Sequence, residues 1–497
     1  MILALFAAVI MLMLPCQDIY SQPNGLTLEN ALSMAYSNSP TIRRTILSLT
    51  RSEELLNAQR AALKSSFTLN VTPFSYREGR DFNTNFGAFY RTEDLQSSAQ
   101  FNIVQPIVAT DAVVSLVNSF GWRNYYNERN EGNPLFPATT SAFTNNLSLR
   151  LDQPIFTYNR TKLQLRQLEF NLENTKISHE LSKLQLERSV TQSFYSVYQQ
   201  QQSLEISKKA YDNMQESYEV SKAKAEAGIS ADVELYQAEL NLANSRSDYE
   251  NKLVSLENVK DDFKVLVGMS LYDDFVVLPD ISVDTIAVDV AFAIEQGLKN
   301  RLELRQRQIS IETAQFDMIQ TMALNEFKGS VGLSLGLTGD DEQFAEIYQT
   351  PSRNQSVLVN LTIPLWDWGE KKARIKASEA SIQTQLLSLE DEENGIVLGI
   401  RKVYRSLLNL RNQIEIAKQS TVNADLTYQI NLEKYKNGDL TGMDLDRSQE
   451  QLSQSQMSYT NALISYKLEL LNLKIQTLYD FEKKLSVTPT ISPSTIK

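Results

Sequence analysis

The sequence is poor in the residue types from which catalytic and metal sites are usually built. Its 497 residues include one histidine, His179, and one cysteine, Cys16. A His-rich metal site, Ser-His-Asp machinery and thiol chemistry all need more of these side chains, and no P-loop or GxGxxG motif occurs. The composition predicts no catalytic residue, no metal site, no cofactor and no enzyme. A carboxylate-only enzyme stays open on counting alone, although no cleft-forming pattern accompanies the acids.

Positive charge is scarce as well. The chain has 48 Lys and Arg against 60 Asp and Glu, a formal net charge of -12. Because nucleic acids are bound through basic patches, this balance argues against nucleic acid as the main partner. An anionic binding surface fits the charge better.

Long hydrophobic runs are missing except at the amino terminus. MILALFAAVIMLML is about fourteen residues, too short to span a bilayer, so residues 1–21 are predicted to be a secretion signal cut near Ser21. No Lys or Arg precedes the run. Lipidation of Cys16 stays an alternative, although Met13-Leu14-Pro15 is a poor match to the usual small residue before such a cysteine. Any membrane-embedded part beyond residue 21 would have to consist of strands.

Proline is absent from residues 155–278 and again from 365–488. Proline costs about 3 kcal/mol inside a helix, so these are the spans where long helices can form. Gly228 interrupts the first span and Gly438 the second. Each span is predicted to hold a helix of roughly 65–70 residues, a tight turn and a second helix of roughly 40.

Apolar residues recur every seventh position after each turn, a spacing that indicates coiled-coil packing. They are Leu235, Leu242, Tyr249, Leu256 and Phe263, and then Leu445, Leu452, Tyr459, Tyr466 and Leu473. The polar runs between them are typical either of a solvated helix face or of a face that lines a water-filled duct.

The chain also repeats itself. An offset of 210 residues aligns it without gaps, with nine identities in the 36 positions 218–253, and pairs Gly228 with Gly438 and Pro154 with Pro364. A second offset of 262 pairs two predicted helices, whose N-caps are Thr27 and Asp289. These offsets indicate a tandem duplication with about 52 extra residues in the first copy.

Alternating apolar and polar residues predict four amphipathic strands, two per repeat, near 67–72, 147–152, 331–338 and 357–363. If the apolar faces contact lipid, the sheet must close, since open edges are not tolerated in hydrocarbon. Four strands cannot close alone, so several copies must contribute. The connection containing RNYYNERNEGNPLFPATTS is expected to be an external loop.

Several features together resemble the TolC family of bacterial outer-membrane efflux channels over nearly the whole mature chain. They are the leader, the opening LTLENALSMAYSNSP, the duplicated plan, QPIF and IPLW before long helices, and a glycine turn followed by an acidic helix start. The resemblance implies a mainly α fold with β: a long coiled-coil α-helical barrel plus a transmembrane β-barrel built by trimerisation, with twelve strands, four from each protomer. It also implies a location in the outer membrane with a periplasmic extension.

The resemblance further divides the chain into residues 22–278 and 279–488, each an equatorial helix, two strands and a helical hairpin, followed by a tail at 489–497. Pro154 and Pro364 mark the strand-to-helix junctions. The implied partners are two further copies in a homotrimer, outer-membrane lipid, a periplasmic adaptor and an inner-membrane pump of the RND or ABC type. The resemblance does not identify the exported substrate or the pump class.

By position, the resemblance places an iris-like periplasmic entrance at the hairpin turns. Glu234 and Asp444, each six residues after its turn glycine, match acidic positions of that entrance. Tyr435 matches a tyrosine that hydrogen-bonds to the acidic position of the other hairpin, so the resemblance makes Tyr435 and Glu234 a candidate latch. Asp232 belongs to the same acidic group.

Two positions depart from the family pattern: Leu440 stands where some members carry an arginine, and Arg447 where some carry an aspartate. The entrance is therefore expected to be less acidic, without a salt-bridge latch. A purely structural alternative also exists, because carboxylates in the first turn of a helix complement the helix dipole by about 0.3–1 kcal/mol. The rival function is a periplasmic coiled-coil adaptor or scaffold, which usually has one hairpin and a compact strand domain.

Overall fold

The structure, a computed structural model, describes residues 24–84, 87–132, 134–281 and 286–489. The predicted secretion signal with Cys16 lies outside the described residues, as does the tail beyond residue 489. Among the helices in these ranges, none is long and apolar enough to cross a membrane. The chain forms two compact units, each built from segments of both sequence repeats.

Within the described residues, the first unit comprises residues 24–46, 179–281, 286–301 and 394–489. Two short parallel strands, β1 (Asn24–Leu26) and β6 (Phe275–Val277), pair within it. Helix α1 (Leu28–Asn38) is capped by Thr27, whose hydroxyl accepts from the Asn30 N–H at 3.3 Å. Helix α5 (Val290–Asn300) is capped in the same way by Asp289. Both predicted N-caps are confirmed.

Four long helices form two hairpins, as the proline-free spans predicted. Helices α3 (Arg160–Glu226) and α4 (Asp232–Val267) have 67 and 36 residues. Helices α7 (Glu370–Asn437) and α8 (Gly442–Thr477) have 68 and 36 residues. The near-identical lengths show that the duplication seen in the sequence is also a duplication of structure.

The heptad positions pack as predicted. Leu445, Leu452 and Leu473 of α8 are at most 1% exposed, and Phe263 of α4 is fully buried. Burial along α4 decreases toward its start, where Leu235 and Leu242 are only partly buried. Apolar burial therefore stabilises the hairpins along their length, and α4 is the more open helix at the turn.

Within the described residues, the second unit comprises residues 47–84, 87–132, 134–178 and 302–393. It contains helices α2 (Pro40–Ala62, from residue 47 on) and α6 (Leu302–Met322) and one sheet of six strands. The strands, in the order in which they pair and all antiparallel, are β2 (Ser66–Asn83), β3 (Ala88–Ile107), β4 (Ala112–Asn127), β5 (Thr139–Ile155), β7 (Lys328–Asp341) and β8 (Ser352–Thr362).

The prediction of two amphipathic strands per repeat is wrong for the first repeat, which contributes four strands to the large sheet. The predicted strands lie in β2, β5, β7 and β8, whereas β3 and β4 were missed. Their alternation is broken in sequence, because Ser97 and Asn118 interrupt the apolar face and Val113 and Val117 occupy the polar one. The expected external loop is also shorter: 123–127 belong to β4 and 139–141 to β5, which leaves only 128–138 as the connection.

The strand-to-helix junctions lie where the prolines predicted. Pro154 is the penultimate residue of β5, and Pro364 follows the end of β8 by two residues. The chain turns at Phe156 and Trp368, whose φ values of 59° and 54° lie in the left-handed region. Proline cannot donate to a strand ladder, so it suits a position where pairing ends.

Candidate functional site

Both hairpin turns are closed by a glycine in the left-handed conformation. Gly228 has φ 72° and Gly438 has φ 86°. The next residue donates back into the helix in each case: the Ile229 N–H to the Lys224 carbonyl at 2.8 Å, and the Asp439 N–H to the Lys434 carbonyl at 2.9 Å. This is the Schellman ending of a helix, which favours glycine because a Cβ is strained at such angles.

The helices that leave the two turns start differently. Thr441 caps α8, because its hydroxyl accepts from the Asp444 N–H at 3.2 Å and donates to the Asp444 carboxylate at 2.7 Å. Ala231 precedes α4 and offers no side-chain cap, so the exposed Asp232 and Glu234 are the acidic groups of that first turn. Asp444 is thus both a capping partner and an exposed acid, whereas Asp232 and Glu234 retain free carboxylates.

The two hairpins are joined at the tips through Tyr435. This side chain is 5% exposed, and its hydroxyl lies 2.5 Å from the Ser221 hydroxyl and 3.5 Å from the Ser217 carbonyl oxygen of α3. The Lys224 ammonium lies 4.2 Å from the Tyr435 ring centroid and donates to its backbone carbonyl. In this structure the hydroxyl of Tyr435 is therefore bound to serines of α3, and it is not hydrogen-bonded to Glu234.

A second contact joins α4 to α8 beside the first. The Asn241 amide donates to the carboxylate of Asp446, which is half-buried. Burial raises the pKa of Asp446 to about 6, and the Asn241 hydrogen bond offsets part of that rise. Lys436 and Glu216 add an exposed ion pair of 3.0 Å between α7 and α3, of a kind that contributes little to stability.

One cavity of about 430 Å³ lies among these contacts. It is lined by three of the residues proposed from the sequence, Glu234, Tyr435 and Asp444, together with Asn241 and Asp446. The structure thus brings the acidic positions and the tyrosine together around one space. The other two proposed residues, Asp232 and Arg447, are exposed and do not line it.

Sequence reasoning missed the serines and the asparagine of this site. Ser217 and Ser221 are four residues apart on the buried face of α3, and Asn241 lies next to the seam residue Leu242 of α4. Small polar residues at that spacing are common on helices, so they gave no distinct signal. The 210-residue offset pairs Lys224 with Lys434, and this identity indicated that the last turn of the helix before each glycine is similar in the two repeats.

The lone histidine has a local structural role. A ring nitrogen of His179 is hydrogen-bonded to the Thr45 hydroxyl at 2.8 Å. In the part of the chain that the structure describes, no three His, Cys, Asp or Glu residues are grouped so as to hold a metal ion.

A comparison with protein families gives one match, to the family described as outer membrane efflux protein, over residues 31–258 and 293–475. No curated protein matches the sequence. The family match covers most of both repeats, including both hairpin turns and all six strands of the large sheet.

Solved structures of outer-membrane channels have the same fold at low identity. The channel CmeC of Campylobacter jejuni is 13% identical, with a TM-score of 0.67 over 94% of this chain and 87% of that one. The channel OprN is 13% identical, with a TM-score of 0.67 over 90% and 89%. VceC of Vibrio cholerae is 13% identical, with a TM-score of 0.65 over 90% and 95%.

Proposed function

The chain belongs to the outer membrane efflux protein family, and from that premise we propose that its two hairpin tips form the closable periplasmic entrance of a tripartite exit duct. Family membership makes the protein an efflux channel of the outer membrane with a periplasmic extension. The observation that carries the proposal is the bonding between hairpins at the tip, where Tyr435 meets Ser221 and Asp446 meets Asn241.

The hydrogen bonds between the hairpin tips are weak enough for a binding partner to open the entrance. A typical hydrogen bond within a protein contributes about 0.5–1.5 kcal/mol net. The Tyr435–Ser221 and Asn241–Asp446 bonds in each copy therefore hold the tips closed by only a few kcal/mol. A partner that binds the open arrangement better by a similar amount shifts the population to open.

The proposed assembly is a homotrimer that works with a periplasmic adaptor and an inner-membrane pump of the RND or ABC type. Apolar side chains near the turns support a docking partner at the tips, because Ile229, Val233 and Met443 are each more than 70% exposed. The sequence contains no nucleotide-binding motif, so the energy for transport is assigned to the pump. The duct itself is a passive conduit.

The test is single-channel conductance of the purified protein in planar bilayers. Wild type is compared with a Tyr435→Phe, Ser221→Ala double variant, and with Tyr249→Phe as the matched control. Tyr249 is a seam tyrosine of α4 that stacks on Tyr211 away from the tip. We expect a small, mostly closed conductance in wild type and control, and a larger one in the double variant.

The other outcomes separate the parts of the proposal. Equal, large conductance in all three proteins would keep the duct and reject the closed tip. Absence of conductance from a correctly inserted, heat-modifiable oligomer would reject the duct. Release of the protein from cells by osmotic shock would favour a periplasmic scaffold instead.

A further inference from the structure

Among the described residues of the second repeat, the β3–β4 hairpin has no counterpart. The first repeat contributes β2, β3, β4 and β5 to the sheet, and the second only β7 and β8. The hairpin is inserted between β2 and β5, which the sequence alone would have made neighbours. It accounts for most of the 52 extra residues of the first copy.

The hairpin has the same two faces as the rest of the sheet. The strand register aligns one apolar row across five strands, formed by Phe67, Ile103, Leu116, Leu149 and Leu335. It aligns a polar row across all six strands, formed by Asn70, Gln100, Ser119, Asn146, Thr338 and Ser352. Side chains of these rows point to opposite faces, because successive residues of a strand alternate.

The hairpin also reaches the helical end of the sheet. Its turn, residues 108–111, meets the start of α3, where Asp111 accepts from the Thr161 N–H at 3.1 Å and from its hydroxyl at 2.5 Å. The Asn159 amide donates to the Val108 carbonyl at 2.6 Å. β3 and β4 therefore extend from the strand-to-helix junction at the start of α3 toward the opposite end of the sheet.

The outer strands of the sheet are β2 and β8, and within the described part of one copy each has an edge that pairs with no other strand. Five antiparallel pairings separate them, so they run in opposite directions. The β2 edge of one copy can therefore pair antiparallel with the β8 edge of a second copy. Their apolar side chains are exposed, Phe67 at 66% and Val357 at 72%, as expected of a face that contacts lipid.

We propose that the β3–β4 hairpin is part of the wall of the outer-membrane pore, so that three copies with six strands each close an eighteen-stranded pore. This inference rests on the proposed exit duct and trimer. The family resemblance implied twelve strands. Because barrel diameter grows roughly in proportion to strand number, the exit would be about half as wide again. Its lining would be the polar row, with Gln100 and Ser119 added by the hairpin.

Lipid contact at positions on both faces of the hairpin and of β5 tests the inference. Single cysteines are introduced in a Cys16→Ser background, labelled with an environment-sensitive fluorophore and reconstituted in vesicles of brominated phosphatidylcholine. The pair on the hairpin is Phe101→Cys and Gln100→Cys, and the comparison pair on β5 is Leu149→Cys and Asn146→Cys. We expect strong quenching at Phe101 and Leu149, and several-fold weaker quenching at Gln100 and Asn146.

Contrary results distinguish an error in the position of the β3–β4 hairpin from an error in the proposed exit duct. Quenching at Leu149 but not at Phe101 would place the hairpin outside the wall and overturn the inference, while the exit duct would stand. Absence of quenching at Leu149 as well would reject the membrane-embedded sheet and the proposed duct with it. The mass of the reconstituted particle fixes the copy number, since two copies would close twelve strands and overturn the count of eighteen.

Discussion

The hydroxyl groups of Tyr435 and Ser221, 214 positions apart in sequence, lie 2.5 Å from each other at the hairpin tips. The pair joins the end of α7 to the end of α3, the two helices that precede the glycine turns. A contact between the repeats is therefore made where each helical hairpin reverses, and small changes there are expected to act on the proposed entrance.

Replacing Ser221 separates this contact from the latch suggested by the family resemblance. We expect Ser221→Ala to raise the open probability several-fold, because the Tyr435 hydroxyl loses its closest partner and a bond worth about 1 kcal/mol. Glu234→Ala is expected to change it little, since Glu234 makes no hydrogen bond to Tyr435 in this structure. Planar-bilayer recordings measure both. A larger effect of Glu234→Ala would restore the Tyr435–Glu234 latch.

The buried carboxyl of Asp446 predicts a pH dependence. Its pKa is raised from 3.8 to about 6, so the closed tip favours the protonated acid. Below about pH 4 the acid is protonated in folded and unfolded chains alike. As pH rises from about 4 to 6, the unfolded chain releases this proton first, and stability falls. Above about pH 6 the loss is complete.

Asp446→Asn isolates the pH-dependent contribution of this carboxyl to stability, because the amide has nearly the same size and shape as the carboxyl and cannot ionise. The melting temperature of wild type relative to the variant should decrease between pH 4 and 6 and then level off. Glu234 and Asp444 line the same cavity and are unchanged in the variant, so the two proteins differ only at position 446. A constant difference across that window would contradict a raised pKa at Asp446.

The turn glycines should be intolerant of a side chain for reasons of backbone angle alone. Nothing lies within 4 Å of a Cβ built at Gly228 or Gly438, so strain and not crowding decides the outcome. Gly438→Ala should lower the free energy of unfolding by about 1–2 kcal/mol. Gly395→Ala is the control, since Gly395 is exposed inside α7 and alanine there should raise stability by about 0.5–1 kcal/mol. Thermal unfolding in detergent compares them, and equal shifts would contradict the strain.

Asp111 should stabilise the junction between the inserted hairpin and α3. Its φ of 61° is in the left-handed region, and its carboxylate caps the start of the helix. Asp111→Asn, which keeps an acceptor oxygen, should cost little. Asp111→Ala should lower stability by about 1 kcal/mol through loss of the cap, with added strain from the backbone. Equal melting temperatures for the two variants would show that the cap contributes nothing.

The helical hairpins could be predicted from sequence because their determinants are local. Absence of proline permits long helices, and one glycine at Gly228 or Gly438 marks where each helix reverses. Strands β3 and β4 could not be predicted from sequence, because their polar and apolar residues alternate imperfectly. Their continuous apolar and polar faces arise only when the strands pair in register with their neighbours. The acids of the tip were predicted by resemblance. The Ser221 partner of Tyr435 was not, because helix packing between distant segments leaves no spacing signal in either one.

The opposite directions of β2 and β8 restrict how the number of strands in the proposed pore wall can change. A single inserted strand would make the two edges of each copy run the same way, and the antiparallel seam between copies would be lost. Strands can therefore be gained only as whole hairpins. In a threefold assembly every gained hairpin is counted three times, so the pore widens in steps of six strands, with no intermediate sizes.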